Sequence, residues 1–207
     1  MNNEGVNIRA IVFDYGNVIS MFDWGLFRNK LLKKTSKKPW EIQRAFDQSK
    51  ELLKKHELGL ISSDEFFDEM HTRLSLKMTR IEFFDAWEQI FTPIPQTRAL
   101  IKRLKGHYKI GLISNTCESH YESEICPSDV FNLFDSVSLS FEVHALKPSA
   151  VMYQDALNKL SLPSSECVYI DDIENFVEAA SEMGFYGVHY KDPQSLERSL
   201  DELSIQY

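Results

Sequence analysis

The chain has 207 residues, 43% of them apolar and 26% charged, with a formal net charge of -8. That length and apolar fraction are enough for one or two domains with a real core, and the acidic balance excludes broad binding to a nucleic-acid backbone, which needs clustered Lys and Arg. Cys117, Cys126 and Cys167 are odd in number and lack a Cys-x-x-Cys pair, so neither a disulfide framework nor a zinc site is indicated. No apolar run approaches the roughly 20 residues that cross a bilayer, and residues 1–5 lack the basic start and apolar stretch of an export leader. The expectation is a cytoplasmic protein with no membrane attachment and no nucleic-acid partner.

Residues 9–13 (RAIVF) read as a short buried strand ending at Asp14. From about 20 to 95 the pattern is helical, with charged faces and no convincing strand, which predicts an all-helical insertion. Within it, Ser62-x-x-Glu65 has capping-box spacing, and Phe66, Phe67, Met70, Leu74 and Leu76 give the following helix a broad apolar face. The lysine-rich stretch 30–38 reads as a solvated face. Pro93 and Pro95 stop helix continuation and mark the return to the sheet; the outward crossing is expected near 19–23. This divides the chain into a core, 1–19 and 96–207, and a helical cap, 20–95.

Beyond the insertion, apolar runs at 109–113, 136–139, 167–170 and 187–190 alternate with helical patterns at about 149–160, 173–183 and 193–203. Such alternation predicts an α/β fold with a parallel sheet and crossover helices. Asp192 before Pro193 reads as an N-cap followed by proline at the first helical position, and Met183-Gly184 as a helix stop.

Three predicted strand ends carry chemistry. In open parallel α/β sheets the ligand crevice forms at the carboxyl ends of the strands, so Asp14, Ser114 and the pair Asp171-Asp172 are expected around one pocket. Asp14 is a candidate nucleophile, because a carboxylate attacks phosphorus and holds the phosphoryl group as an acyl phosphate; taken alone it is equally a turn-capping aspartate beside Gly16 and Asn17. Ser114, Asn115 and Thr116 offer hydrogen bonds to phosphate oxygens, or a helix cap. Lys147 before Pro148 is read as opening a helix, where a cation opposes the helix dipole and implies a nearby anion. Two adjacent carboxylates closing the apolar run 167–170 must be paired, hydrated or bound to a cation, and magnesium suits them. One would face the metal, while the other pairs with Lys147 or holds backbone amides.

With these segments in place, the chain resembles the haloacid dehalogenase-like hydrolases, in the phosphatase branch with a small helical cap after the first strand. Phe13-Asp14-Tyr15-Gly16-Asn17-Val18 is similar to the first motif of a subgroup containing bacterial sugar-phosphate phosphatases (the glucose-1-phosphate type) and lying near the phosphatase domain of epoxide hydrolases. His56-Glu57-x-Gly59-x-Ile61-Ser62, with Phe66, is similar to that subgroup's cap segment. The resemblance covers nearly the whole chain. It implies a Rossmann-like core with an inserted cap and the cofactor Mg2+ bound by Asp14, the Gly16 carbonyl and Asp172. It also implies Asp14 as nucleophile, with Ser114, Asn115 and Lys147 holding the phosphoryl group and Asp171 in support. Cap residues such as Trp24, His56, Phe84 and Trp87 would set specificity or form bundle core.

Two departures stand out. Gly16 occupies the position where most phosphatases of the family carry a second aspartate for acid-base work, typically worth 10²–10⁴-fold. Phe176 stands where Asn or Asp usually supports the metal, with Asn175 one place earlier. Asp23 is a possible substitute acid, or a helix N-cap. The expected activity is magnesium-dependent hydrolysis of a small phosphate monoester, a sugar phosphate, by a monomer or homodimer. The alternatives are a catalytically weak relative that binds a phosphorylated ligand or protein partner as a regulator and, further behind, a 2-haloacid dehalogenase, which gains nothing from the Asp171-Asp172 pair.

Overall fold

The computed structural model describes residues 7–207; the expectation about residues 1–5 lies outside the described residues. Along the chain, β1 (Ala10–Phe13) is followed by β2 (Ser20–Phe22), by α1 (Trp24–Leu32), α2 (Pro39–Gln48), α3 (Lys50–Glu57), α4 (Ser63–Leu74) and α5 (Arg80–Glu88), and by β3 (Phe91–Pro93). Next come α6 (Pro95–Leu104), β4 (Lys109–Ser114), a short α7 (Glu118–His120) running into a π-helical turn at Tyr121–Ile125, and β5 (Ser136–Leu139). The chain closes with α8 (Ser140–Val143), α9 (Ala150–Leu160), β6 (Cys167–Asp171), α10 (Glu174–Glu182), β7 (Tyr186–His189) and α11 (Pro193–Glu202).

Five strands form one parallel sheet in the order β5-β4-β1-β6-β7. Successive side chains of a strand point to opposite faces, and β1 shows the consequence. Ile11 and Phe13 join the core shared with Leu100, Ile101 and Leu104 of α6 and with Leu196 and Leu200 of α11. Ala10 and Val12 join the other, with Met152, Tyr153 and Ala156 of α9. Both faces are covered, which is why the central strand β1 (AIVF) is a continuous apolar run and not an alternating one. The chain builds β4 and β5 on one side of β1 and then crosses to build β6 and β7 on the other, so the carboxyl ends of β4, β1 and β6 meet at one edge.

The expected absence of strands in 20–95 is corrected: β2 and β3 pair antiparallel, with Met21 opposite Thr92. Three residues are too few to display a period, and the partner lies on the far side of the helical insertion. Ser62 does cap α4, accepting from the Glu65 amide at 3.2 Å while Glu65 accepts from the Ser62 amide at 2.8 Å. That helix ends at Leu74, so Leu76 is not on its face; it bridges to Thr35 after the left-handed Ser75. Ser149 caps α9, which puts Lys147 in the preceding loop and not at a helix start. The dipole argument for Lys147 therefore fails, and what holds its charge is described below. Strand β7 runs one residue earlier than expected. Asp192 caps α11 as read from the sequence, and among the described residues no helix is long and apolar enough to cross a membrane.

The helical insertion has its own core of Phe27, Leu31, Phe66, Met70, Phe83 and Trp87. It meets the sheet half through the end of α3, where the Ser140 hydroxyl lies 2.7 Å from the Glu57 carbonyl oxygen and His144 Nδ1 donates to the Leu58 carbonyl at 2.9 Å. Gly59 has φ +64, and a Cβ there would sit 2.3 Å from the Phe141 carbonyl oxygen. Gly59→Ala is expected to lower stability by about 1–3 kcal/mol through backbone strain and this clash, read as a lower urea midpoint.

Candidate active site

Asp14 follows β1 directly, and its amide donates to the Ile170 carbonyl of β6 at 2.8 Å, which fixes the residue beside the neighbouring strand. Asp171 is the last residue of β6 and Ser114 the last of β4, so the parallel register delivers all three to the same edge. Lys147 reaches this edge from its loop. Its ammonium donates to Asp14 Oδ1 at 2.6 Å, to Asp171 Oδ2 at 2.7 Å and to the Ile113 carbonyl at 3.3 Å. An ammonium has three hydrogens, and each has an acceptor. Asn115 positions the lysine: its Oδ1 accepts from the Lys147 amide at 2.8 Å, and its Nδ2 donates to the Lys147 carbonyl at 3.4 Å, leaving one amide hydrogen uncommitted.

Asp171 is fully committed. Oδ2 accepts from Lys147 and from the Tyr169 hydroxyl at 2.5 Å, and Oδ1 accepts from the Ile173 amide at 2.9 Å. The ligand atoms of Asp14, Asp171 and Asp172 lie within 4.8 Å of one another, and the commitments of Asp171 leave Asp14 and Asp172 as the carboxylates able to take a cation. Fully ionised, the three acids and one lysine sum to two negative charges in a buried place. The strain is visible in the acids: burial, opposed by Lys147 and reinforced by Asp171 and Asp172, pushes Asp14 up to about 7, and burial also raises Asp172. Burial by itself would lower the Lys147 pKa, but the charges of Asp14 and Asp171 outweigh it and raise it. All three shifts favour added positive charge. A hard divalent cation with oxygen ligands fits this donor set.

The turn after Asp14 is held from below. Asn17 is left-handed, with φ 56, and its Nδ2 donates to Asp172 Oδ2 at 3.0 Å. Glu124 Oε1, on the π-helical turn, accepts from the Tyr15 hydroxyl at 2.8 Å, from the Ser20 hydroxyl at 2.8 Å and from Arg98 at 3.1 Å. Above the turn, a Cβ at Gly16 would lie 3.2 Å from the Phe22 ring. That ring fills the space beside Gly16.

The comparisons agree with this geometry. A family model described as haloacid dehalogenase-like hydrolase matches residues 8–184. The chain belongs to the haloacid dehalogenase-like hydrolase family. A D-ribitol-5-phosphate phosphatase from Bacteroides thetaiotaomicron is 25% identical over 195 residues, covering 86% of this chain and 89% of that protein. A haloacid dehalogenase family enzyme from the same organism, solved in complex with magnesium and inorganic phosphate, has a TM-score of 0.78 at 21% identity, covering 89% of this chain and 94% of that one. A predicted hydrolase of the family from Porphyromonas gingivalis has a TM-score of 0.82 at 21% identity, over 97% of this chain and 100% of the other. The α/β, Rossmann-like fold is thus that of the family.

In this hydrolase Gly16, Ser114 and Asn115 line a cavity roofed by Trp24, His56 and Trp87. Phe84, expected with them, lies elsewhere, packed against Phe67 and Phe83 with Arg80 over its ring. Asp23 is the N-cap of α1, accepting from the Gly25 amide at 2.7 Å. Phe176 replaces the usual polar support with an aromatic face 5.2 Å from Lys147 Nζ, a cation–π contact; Asp172 takes its support from Asn17 instead. Sequence reasoning missed Asn17, Tyr169, Glu124 and His120. Only Asn17 carried a signal, as an Asn after Gly in a turn.

Asp171→Ala would leave Lys147 buried beside one acid, and is expected to cost about 3–5 kcal/mol in a urea titration. His120 is buried against Trp87, and burial, opposed by its bond to the Trp87 carbonyl, lowers its pKa to about 4. Because its folded pKa lies below the ordinary 6.5, His120 adds stability that is fully present above pH 6.5 and is lost as pH falls from there through about 4. Thermal melts across that window should show the loss, and His120→Phe should flatten it.

Proposed function

We propose that this hydrolase is a magnesium-dependent phosphatase acting on a small phosphate monoester, a sugar or polyol phosphate, through an aspartyl phosphate on Asp14. The observation that carries the reading is Lys147, held 2.6 Å from Asp14 and 2.7 Å from Asp171 in a carboxylate cluster still short of positive charge. The name of the 25% identical relative supports the substrate class.

In this mechanism Asp14 and Asp172, with the Gly16 carbonyl, would hold magnesium. When bound, the ion would supply positive charge that offsets the phosphoryl group and favours the ionised form of Asp14. An Asp14 carboxylate oxygen attacks phosphorus, the phosphorus–leaving oxygen bond breaks, and the alkoxide takes a proton from a solvent water, since Gly16 offers none. Water then attacks phosphorus and gives up a proton to solvent while the bond from phosphorus to the Asp14 oxygen breaks, releasing inorganic phosphate and restoring the Asp14 carboxylate. Lys147 orients Asp14 and offsets charge that builds on the transferring group. Ser114 and the free Asn115 amide hydrogen donate to phosphoryl oxygens, and Asp171 fixes Lys147. Residues 20–95 act as the cap that closes over the leaving group, with 1–19 and 96–207 as the core.

Gly16, with the Phe22 ring beside it, favours one second reading, a slow or non-turning relative that binds a phosphorylated ligand. One assay separates the two: phosphate release from a panel of small phosphate monoesters, with magnesium or with chelator, for wild type and Asp14→Asn. Release that needs magnesium and falls at least 10³-fold in Asp14→Asn, the scale of losing a nucleophile, is expected. Binding of a phosphate ester without release would favour the second reading.

A further inference from the structure

Within the helical insertion, α1, α2 and α3 enclose a groove of about 250 Å³ that lies apart from the strand-end edge. Its floor is apolar, made by Trp24, Phe46 and Leu53. Phe46 stands edge-on to the buried Phe27 ring, 6.0 Å between centroids, so the floor is built into the insertion's own core. Trp24 is 39% exposed, a large ring left partly uncovered. The volume lies just below the roughly 300–1,000 Å³ of small-molecule sites, which admits one ring or a short chain and excludes a folded partner.

The rim is charged, and its charges are unevenly matched. Arg28 donates to Gln43 Oε1 at 3.0 Å, and Gln43 Nε2 donates to Asp47 Oδ1 at 3.4 Å, so the one acid of the groove is engaged by a neutral amide. A guanidinium has five N–H donors, and this bond leaves Arg28 with donors to spare. Lys50, also on the rim, is the first residue of α3, where the helix dipole disfavours a cation. Among the described residues neither Arg28 nor Lys50 has a carboxylate oxygen within 4.0 Å. Residues 28–55 hold ten Lys or Arg against three acids, although the whole chain has a net charge of -8. The local field around the groove therefore attracts anions.

We propose that this groove is an effector site for a small apolar anion, one ring or a short alkyl chain ending in a carboxylate, with the apolar part on Trp24, Phe46 and Leu53 and the carboxylate at Arg28 and Lys50. A neutral molecule leaves both cations unanswered, an organic cation is repelled, and a bare inorganic anion leaves the apolar floor wet. Trp24 and Leu53 border the cavity over Gly16 as well as this groove. The Trp24 ring lies 5.0 Å from Trp87 and 6.1 Å from Phe22 between centroids, and Phe22 is the ring beside Gly16. An occupant that fixes Trp24 from the groove thus acts on packing that reaches the strand-end edge. The effector role rests on the phosphatase reading above; the binding does not.

The test uses 3-phenylpropionate as probe, with 3-phenylpropan-1-ol, 3-phenylpropylammonium and acetate as comparators. The chain has three tryptophans, and the indole signal lost from the ¹⁵N–¹H spectrum in Trp24→Phe identifies Trp24. In wild type that signal should move saturably with the probe, with a dissociation constant on the order of 1 mM, while the Trp40 signal stays. Affinity should be roughly tenfold weaker for the alcohol, and for the probe in the double variant Arg28→Gln, Lys50→Gln; the ammonium and acetate should not bind. Both substituted side chains are exposed, so the urea midpoint should match wild type. A stationary Trp24 signal, equal affinity for acid and alcohol, or an affinity unmoved in the double variant overturns the site. A dimer that the probe or the double variant dissolves would make a second copy the occupant and overturns it too. For any phosphate ester that wild type hydrolyses, saturating probe should change kcat/KM about fivefold or more, and should leave it unchanged in the double variant, whose kcat/KM without probe should equal that of wild type. Turnover indifferent to bound probe overturns the effector role and leaves the phosphatase reading intact. Should no ester release phosphate, the phosphatase reading and with it the effector role fall, and the indole titration alone supports or overturns the binding site.

Discussion

One buried ammonium group organises the reactive edge of this hydrolase. Lys147 Nζ gathers Asp14 from the end of β1, Asp171 from the end of β6 and the Ile113 carbonyl from β4. Neither partner acid nor the lysine could be buried alone, because an unpaired charge in a dry interior costs several kcal/mol. The pairing is also incomplete in total charge, and that incompleteness is chemically useful. Asp171 is saturated by three donors and acts as a fixed counter-charge, whereas Asp14 keeps one oxygen outside the lysine contact. The same arrangement therefore gives the fold its closure at the strand ends and leaves one carboxylate oxygen of Asp14 uncommitted.

Around that centre, support comes from opposite directions. Glu124 holds the turn after Asp14 from beneath through Tyr15, Ser20 and Arg98, using a π-helical turn to present its carboxylate. Wide turns of this kind are frequent at functional sites. From above, Phe22 presses on Gly16, and Phe22 belongs to the two-stranded ribbon through which the chain enters and leaves the helical insertion. Any movement of the insertion about that ribbon is thus felt beside Asp14.

How much of this is legible in the sequence depends on the range of the interaction. Continuous apolar runs reveal strands buried on both faces, and Asp14, Ser114 and Asp171 are readable because each ends such a run. Ser62, Ser149 and Asp192 are readable because capping is local. By contrast, the β2–β3 ribbon joins three-residue segments about seventy positions apart, and no local pattern encodes it. Lys147 reads as a misplaced helix-start cation, although its partners are two distant carboxylates. Phe84 and Trp87 share a helix and look alike in sequence, yet one packs against Phe67 while the other borders the cavity. Glu124 and His120 leave no trace, since a single acid or histidine on a short helix is ordinary until its neighbours are known.

The Ser140 hydroxyl accepts from the Thr116 amide at 2.8 Å and has one hydrogen for two carbonyls, Glu57 at 2.7 Å and Thr116 at 2.8 Å. Were α3 parted from the sheet half, the Glu57 carbonyl would pass to water and the hydrogen would rotate to the Thr116 carbonyl. At Ser140 the joint between the two halves is therefore a contact with a spare acceptor, whose parting would strand no donor in the interior.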